Sequence, residues 1–168
     1  MSNIQIMKMN EGVEWAMHSC VNLSWAPGEA VTAKRLAAFY NLPTAYLNKQ
    51  LQALTRAGIL ASVSGPKGGF QLARDPSDIS LLDIVVAIDG PDDAFRCMEI
   101  LKEGPGADAR ADYTKTCVIS QAMRGAELTY RRELANRSIA DIAAEVVRLN
   151  PTAPDNTRNR FTNLKETP

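Results

Sequence analysis

Two short helical patterns, parted by Asn41, Leu42 and Pro43 and followed by a glycine-rich turn between strand-like runs, leave this chain little choice of architecture. Thr32 can cap a helix over 32–40 that offers Leu36, Phe39 and Tyr40 for packing, since its hydroxyl can accept an orphan first-turn N–H. Thr44 can cap the next helix, whose Tyr46, Leu47, Leu51 and Leu54 recur at steps of three and four, and Gly58 closes it. Two short helices across a tight turn form a helix-turn-helix. Runs 59–63 and 70–72 flank Ser64, Gly65, Pro66, Lys67, Gly68 and Gly69, which predicts a hairpin with one cation at its tip. A helix-turn-helix followed by a hairpin is a winged helix-turn-helix. The glycines beside Lys67 do not make a Walker-type nucleotide loop, because Gly68, Gly69 and Phe70 lack the lysine and hydroxyl that open a helix there, and a nucleotide-binding enzyme is disfavoured.

Charge points to the partner of this unit. Between Thr32 and Arg74 there are six basic residues (Lys34, Arg35, Lys49, Arg56, Lys67 and Arg74) and no acidic one, although the formal net charge is zero. Residues 75–112 reverse the balance with ten acidic residues against Arg96, Lys102 and Arg110. A basic window of this kind suits a polyanion, here double-stranded DNA. Base edges would be met by Thr44, Ala45, Tyr46, Asn48, Lys49 and Gln52, on and near the start of the second helix. Lys34, Arg35 and Lys67 are placed to meet phosphate.

Around the unit, Asn10 can cap a first helix with Val13, Ala16, Met17, Cys20 and Val21 on its buried stripe. Ser80 can cap a helix ended by Gly90 and Pro91. Glycine, proline and acids over 103–112 predict an exposed loop. A long helix is expected over 114–136, with Ile119, Ala122, Met123, Ala126, Tyr130 and Leu134 on one stripe that needs a partner surface. Ser138 with Asp141 approximates a capping box for a last helix whose Ile139, Ile142, Ala143, Val146 and Val147 face inward. Residues 151–168, rich in Asn, Thr, Pro and charge, read as a flexible tail. The N-terminus lacks signal-sequence character and no apolar run is long enough to span a bilayer, so the expected place is the cytoplasm, without a membrane partner.

The three cysteines are an odd number, which disfavours a disulfide framework. Cys20 falls on the apolar stripe and reads as a small buried hydrophobe. Cys97 and Cys117 flank the acidic loop. Glu14 and His18, four apart on one helix, share a side. From the residues alone they are either a helix-surface pair or two ligands facing one metal. No nicotinamide or flavin fingerprint is present, and no enzymatic activity is expected.

Pro43, Tyr46, Leu47, Leu51, Leu54, Ala57 and Gly58 resemble the Rrf2 (Rrf-two) family of bacterial regulators. So do Gly65, Gly68, Gly69, Phe70, Leu72 and Arg74, and then Ile79, Leu82, Asp83, Ile84 and Gly90, within a similarity over roughly 9–142. The resemblance implies a fold that is mainly α with a small β-hairpin wing, and a homodimer joined by a long helix on a palindromic operator. Many members hold an iron-sulfur cluster with three close cysteines. This chain departs from that pattern. Residues Gly12 to Ala16 with His18, and Asp89 to Asp92 with Phe95 and Cys97, resemble the redox-sensing RsrR branch. That likeness implies a 2Fe-2S cluster at the dimer interface, held by Cys97 and Cys117 of one subunit and Glu14 and His18 of the other.

The expected organisation is a DNA-binding domain over 1–92, a cluster-binding loop over 93–113, dimerisation and C-terminal helices over 114–150, and the tail over 151–168. The expected function is redox-sensing transcriptional regulation. The alternative is a cluster-free winged-helix repressor that responds to thiol oxidation or a small ligand.

Overall fold

The computed structural model describes residues 10–163. Helix α1 (Glu11–Ser24) begins where Asn10 Oδ1 accepts the Gly12 N–H at 2.9 Å, and it buries Val13, Ala16, Cys20, Val21 and Leu23. A Cβ on Gly12 would lie 2.8 Å from the Gln50 amide, so glycine lets α1 approach the second helix of the helix-turn-helix. Helix α2 (Ala33–Tyr40) is capped by Thr32, whose Oγ1 accepts the Arg35 N–H at 3.2 Å. It stops at Asn41, which takes a left-handed conformation that asparagine tolerates.

Helix α3 (Thr44–Arg56) differs from expectation at its start. Thr44 is its first helical residue, and Pro43 holds the cap position without a side-chain bond. The fixed φ of proline and the extended backbone of that position agree, so the ring does the orienting that a hydroxyl was expected to do. Leu47, Gln50, Leu51 and Leu54 are buried.

Strands β1 (Leu60–Val63) and β2 (Gly69–Leu72) pair antiparallel, with Leu60 opposite Leu72 and Val63 opposite Gly69. Val31, just before α2, bridges Phe70: its N–H donates to the Phe70 carbonyl at 2.9 Å, and the Phe70 N–H donates back at 2.8 Å. This approach explains Gly69. Its φ is 147°, and a Cβ there would lie 2.4 Å from the Val31 carbonyl carbon.

Helix α4 (Leu81–Asp89) opens on a capping box of Ser80 and Asp83, packs on α1 and α3, and ends at Gly90. The chain then leaves the body through an irregular stretch containing a 3-10 turn at Ile100–Lys102. It returns through α5 (Tyr113–Thr116) and α6 (Val118–Ala135). Helix α7 (Ile139–Leu149) opens on the Ser138–Asp141 capping box and packs on α1. The Leu81 N–H donates to the Arg137 carbonyl and the Ile139 N–H to the Ile79 carbonyl, each at 2.9 Å, so the starts of α4 and α7 are stitched together.

Two expectations are corrected here. The long helix over 114–136 is interrupted at Cys117, whose ψ of 114° separates α5 from α6. The apolar repeat begins only beyond Cys117, so packing does not require the two stretches to be continuous. The flexible tail over 151–168 is instead a helix, α8 (Ala153–Asn163), over most of its length. Phe161 is buried and meets Phe39 of α2 at 5.9 Å, and Arg158 Nη1 donates to the Trp25 carbonyl at 3.1 Å. One aromatic residue with a distant partner thus anchors a segment whose composition is otherwise that of a solvated chain. Among the described residues no helix is long and apolar enough to cross a membrane.

Candidate metal centre and nucleic-acid interface

The residues expected to read DNA are spread over α2, α3 and the hairpin tip. Thr44, Ala45, Tyr46, Lys49 and Gln52 are exposed along α3, while Asn48 is half-buried. No side chain caps α3, so its first-turn N–H groups, on exposed residues, remain open to a partner such as phosphate. Lys34 is exposed on α2 and Lys67 at the tip of the wing. Arg35 sits deeper: it is half-buried, and its Nε is buried without a hydrogen bond. The bridge from Val31 to Phe70 fixes the wing directly to the start of α2, and α3 packs against both α2 and β1.

Glu14 and His18 stand together on the solvent side of α1. His18 Nε2 lies 3.9 Å from Glu14 Oε1, and both side chains are more than half exposed. They sit at the edge of a hollow of about 430 Å³ between α1, the start of α4 and α7, with Met17, Val21, Ile139 and Ile142 among its walls. On its other side the His18 ring meets Tyr40, 5.7 Å between centroids, and Trp15 meets the same ring at 5.6 Å. Asn22 Nδ2 donates to the Tyr40 hydroxyl at 2.5 Å. Burial raises the Tyr40 phenol well above its usual range, so it stays a neutral hydroxyl.

Cys97 and Cys117 belong to the excursion between α4 and α7. Neither is in a disulfide and both are partly exposed. Cys97 borders a hollow of about 450 Å³ against Ser120 and Arg124 of α6, and Cys117 immediately precedes that helix. The third cysteine, Cys20, is fully buried as expected, and burial pushes its thiol up to about 12, which removes it as a donor.

Arg131 was not singled out by sequence reasoning, and it holds this region in place. Its Nη2 donates to the Pro91 and Asp92 carbonyls, each at 3.0 Å, its Nε donates to Glu127 Oε1 at 2.9 Å, and Asp93 lies 3.5 Å away. The segment leading to Cys97 is thereby pinned to α6. Only the Glu127–Arg131 spacing was a signal, and its partners on the main chain left none.

Among the described residues no three of His, Cys, Asp and Glu gather in a group able to hold a metal. The chain offers two separate donor sets, an imidazole with a carboxylate on α1 and two free thiols on the excursion. Soft thiolates and imidazole are the donor types of iron-sulfur ligation, so the set fits a cluster in kind, in two halves. Helix α6 carries an exposed apolar face next to Cys117, with Val118 76%, Ile119 70% and Met123 42% exposed.

Comparison with known proteins gives a consistent result. The profile of the Rrf2 family, described as an iron-dependent transcriptional regulator, matches residues 9–145. The chain is 31% identical over 83% of its length, and 88% of the relative's, to YffB of Lactococcus lactis, which is named for an inferred role as an HTH-type transcriptional regulator. Several further relatives align over about half of their own length. Among solved structures, IscR of T. potens superposes with a TM-score of 0.64 at 20% identity, covering 89% of this chain and 94% of its own. The oxidized form of Staphylococcus aureus CymR superposes with a TM-score of 0.56 at 26% identity, covering 81% of this chain and 95% of its own.

Proposed function

The chain belongs to the Rrf2 family of winged-helix transcriptional regulators, and from that premise we propose that it acts in the cytoplasm as a homodimer on a palindromic operator, its DNA affinity set by the redox state of a 2Fe-2S cluster shared between the subunits. The observation that carries this reading is the division of the donors. Glu14 and His18 border an apolar hollow, and Cys97 and Cys117 adjoin a helix with an exposed apolar face. Seating α6 of one copy against α1 and α7 of the other covers both faces and unites the two halves of a four-ligand set.

Within such a dimer Cys97 and Cys117 would hold the cluster as thiolates, His18 through a neutral imidazole nitrogen and Glu14 as a carboxylate. Imidazole in place of a thiolate would lower the negative charge donated by the protein, so a cluster held this way would supply redox chemistry at a higher potential than one held by cysteines alone. Arg131 ties the segment leading to Cys97 to α6, and the Tyr40 ring borders His18 and is itself met by Trp15. The separation of the two recognition helices then depends on how the subunits are joined, and operator half-sites accept only a narrow spacing.

Protein isolated without oxygen should contain iron and sulfide and show a visible chromophore, which Cys97→Ala or Cys117→Ala abolishes. Unchanged spectra in both variants would remove the assignment. A gel shift against the DNA upstream of the protein's own gene, at stated salt, tests operator binding. The rival reading, thiol oxidation without a cluster, draws on the two free, partly exposed cysteines and on the similarity to the oxidized form of CymR. Binding of the operator by protein that lacks both iron and sulfide, with affinity that changes on thiol oxidation, would favour it.

A further inference from the structure

Helix α8 lies beyond the residues that the family profile matches, and it walls a second hollow of about 660 Å³ with α1, α2 and α7. Its lining is unlike that of the apolar hollow beside Glu14. The Trp25 and Phe39 rings supply an apolar side, while Asn150, Asn156 and Asn159 supply carboxamides. Arg160 brings the one permanent charge, with its guanidinium carbon 5.2 Å from the centre of the Phe39 ring. No aspartate or glutamate lines the hollow, and Arg160 has no carboxylate within ion-pair distance among the described residues. His18 lies at its edge, so an occupant would touch the residue proposed above as a cluster ligand.

We propose that this hollow is a binding site for a small organic anion with a flat apolar body, such as an aromatic carboxylate. The volume falls in the range of small-molecule sites, and the pattern of an apolar surface with a few polar groups and one cation is the usual one. Arg160 takes the carboxylate in charge-assisted hydrogen bonds, the amides take further polar atoms, and the ring lies against Trp25. The amides and one cation without any acid select anions over amines of the same shape. This site stands whether or not the cluster assignment holds, because none of its residues other than His18 belongs to that set.

Trp15 and Trp25 are the two tryptophans of the chain, and only Trp25 lines the hollow. The full chain labelled with 5-fluorotryptophan therefore gives two fluorine resonances, assigned with Trp15→Phe, that separate this site from others. Titration with 2-naphthoate should shift the Trp25 resonance saturably and leave Trp15 in place, while naphthylmethylamine should have little effect. Arg160→Gln should raise the midpoint about tenfold, the size of one lost charge-assisted hydrogen bond. Asn159→Asp, a surface change that leaves the fold intact, should weaken the anion and admit the amine. No saturable Trp25 shift up to about 10 mM, equal binding of the amine, or unaltered affinity in both variants would overturn the proposal. Loss of the chromophore in the cysteine variants, with this titration unchanged, separates its fate from that of the cluster.

Discussion

Replacing Arg131 with alanine isolates the contribution of one side chain to the order of the segment that bears Cys97. The guanidinium gives two hydrogen bonds to main-chain carbonyls, at Pro91 and Asp92, and a third to Glu127, with about a quarter of its side chain exposed. Bonds to charged groups are worth about 1.5–3 kcal/mol each when well buried, and partial exposure argues for the low end. The two main-chain bonds then contribute about 3 kcal/mol, or roughly a hundredfold in the opening of the segment. Arg96 lies in this stretch and is exposed, so trypsin cleavage after it reports that opening. In Arg131→Ala the rate of this cut should rise toward a hundredfold, while global thermal unfolding moves little, because the core is built elsewhere. Arg131→Lys keeps the charge but loses the fork, and should fall between the two. A cleavage rate unchanged in Arg131→Ala would refute the argument, since the segment would then be held by something other than this side chain.

Further outcomes follow from other contacts. Iodoacetamide should modify Cys97 and Cys117 of the folded, metal-free protein and spare Cys20, giving two adducts by mass spectrometry and a third only after denaturation. The Cys20 thiol is raised from 9.0 to about 12 by burial, so its contribution to stability is complete below pH 9 and fades as the pH rises toward 12. Denaturation midpoints should therefore fall above pH 9, and fall less steeply in Cys20→Ala. Gly69→Ala sets a Cβ against the Val31 backbone in a strained conformation, so it should cost several kcal/mol in urea unfolding (about 2–4) or detach the wing and abolish operator binding. Lys67→Ala should weaken binding to all DNA sequences alike and lower the salt-dependence slope by about one.

Helix starts were legible where a single polar side chain decides them. Asn10, Thr32, Ser80 and Ser138 all cap as read, because the bond they make spans only two or three residues. At Pro43 and Thr44 two adjacent residues could each serve, and the one without a hydroxyl does. The break at Cys117 left no local signal, since neither proline nor glycine marks it. The docking of α8 was hidden for the opposite reason: it depends on Phe161 finding Phe39, far away along the chain. In the candidate site the Glu14–His18 pair was readable from helical spacing, whereas the Arg131 clamp acts on carbonyls about forty residues distant, which any sequence would supply.

The pair of main-chain bonds that joins the starts of α4 and α7 has a consequence for how such a regulator can change over generations. Everything from Gly90 to Asn136 departs from and comes back to a closed seam, so its length is constrained by loop-closure entropy that grows only logarithmically. A change in length there adds little to the cost of closing the loop and leaves the helix-turn-helix, which lies outside it, to fold on its own contacts. The seam lets this excursion vary in length without disturbing the starts of the two helices it joins.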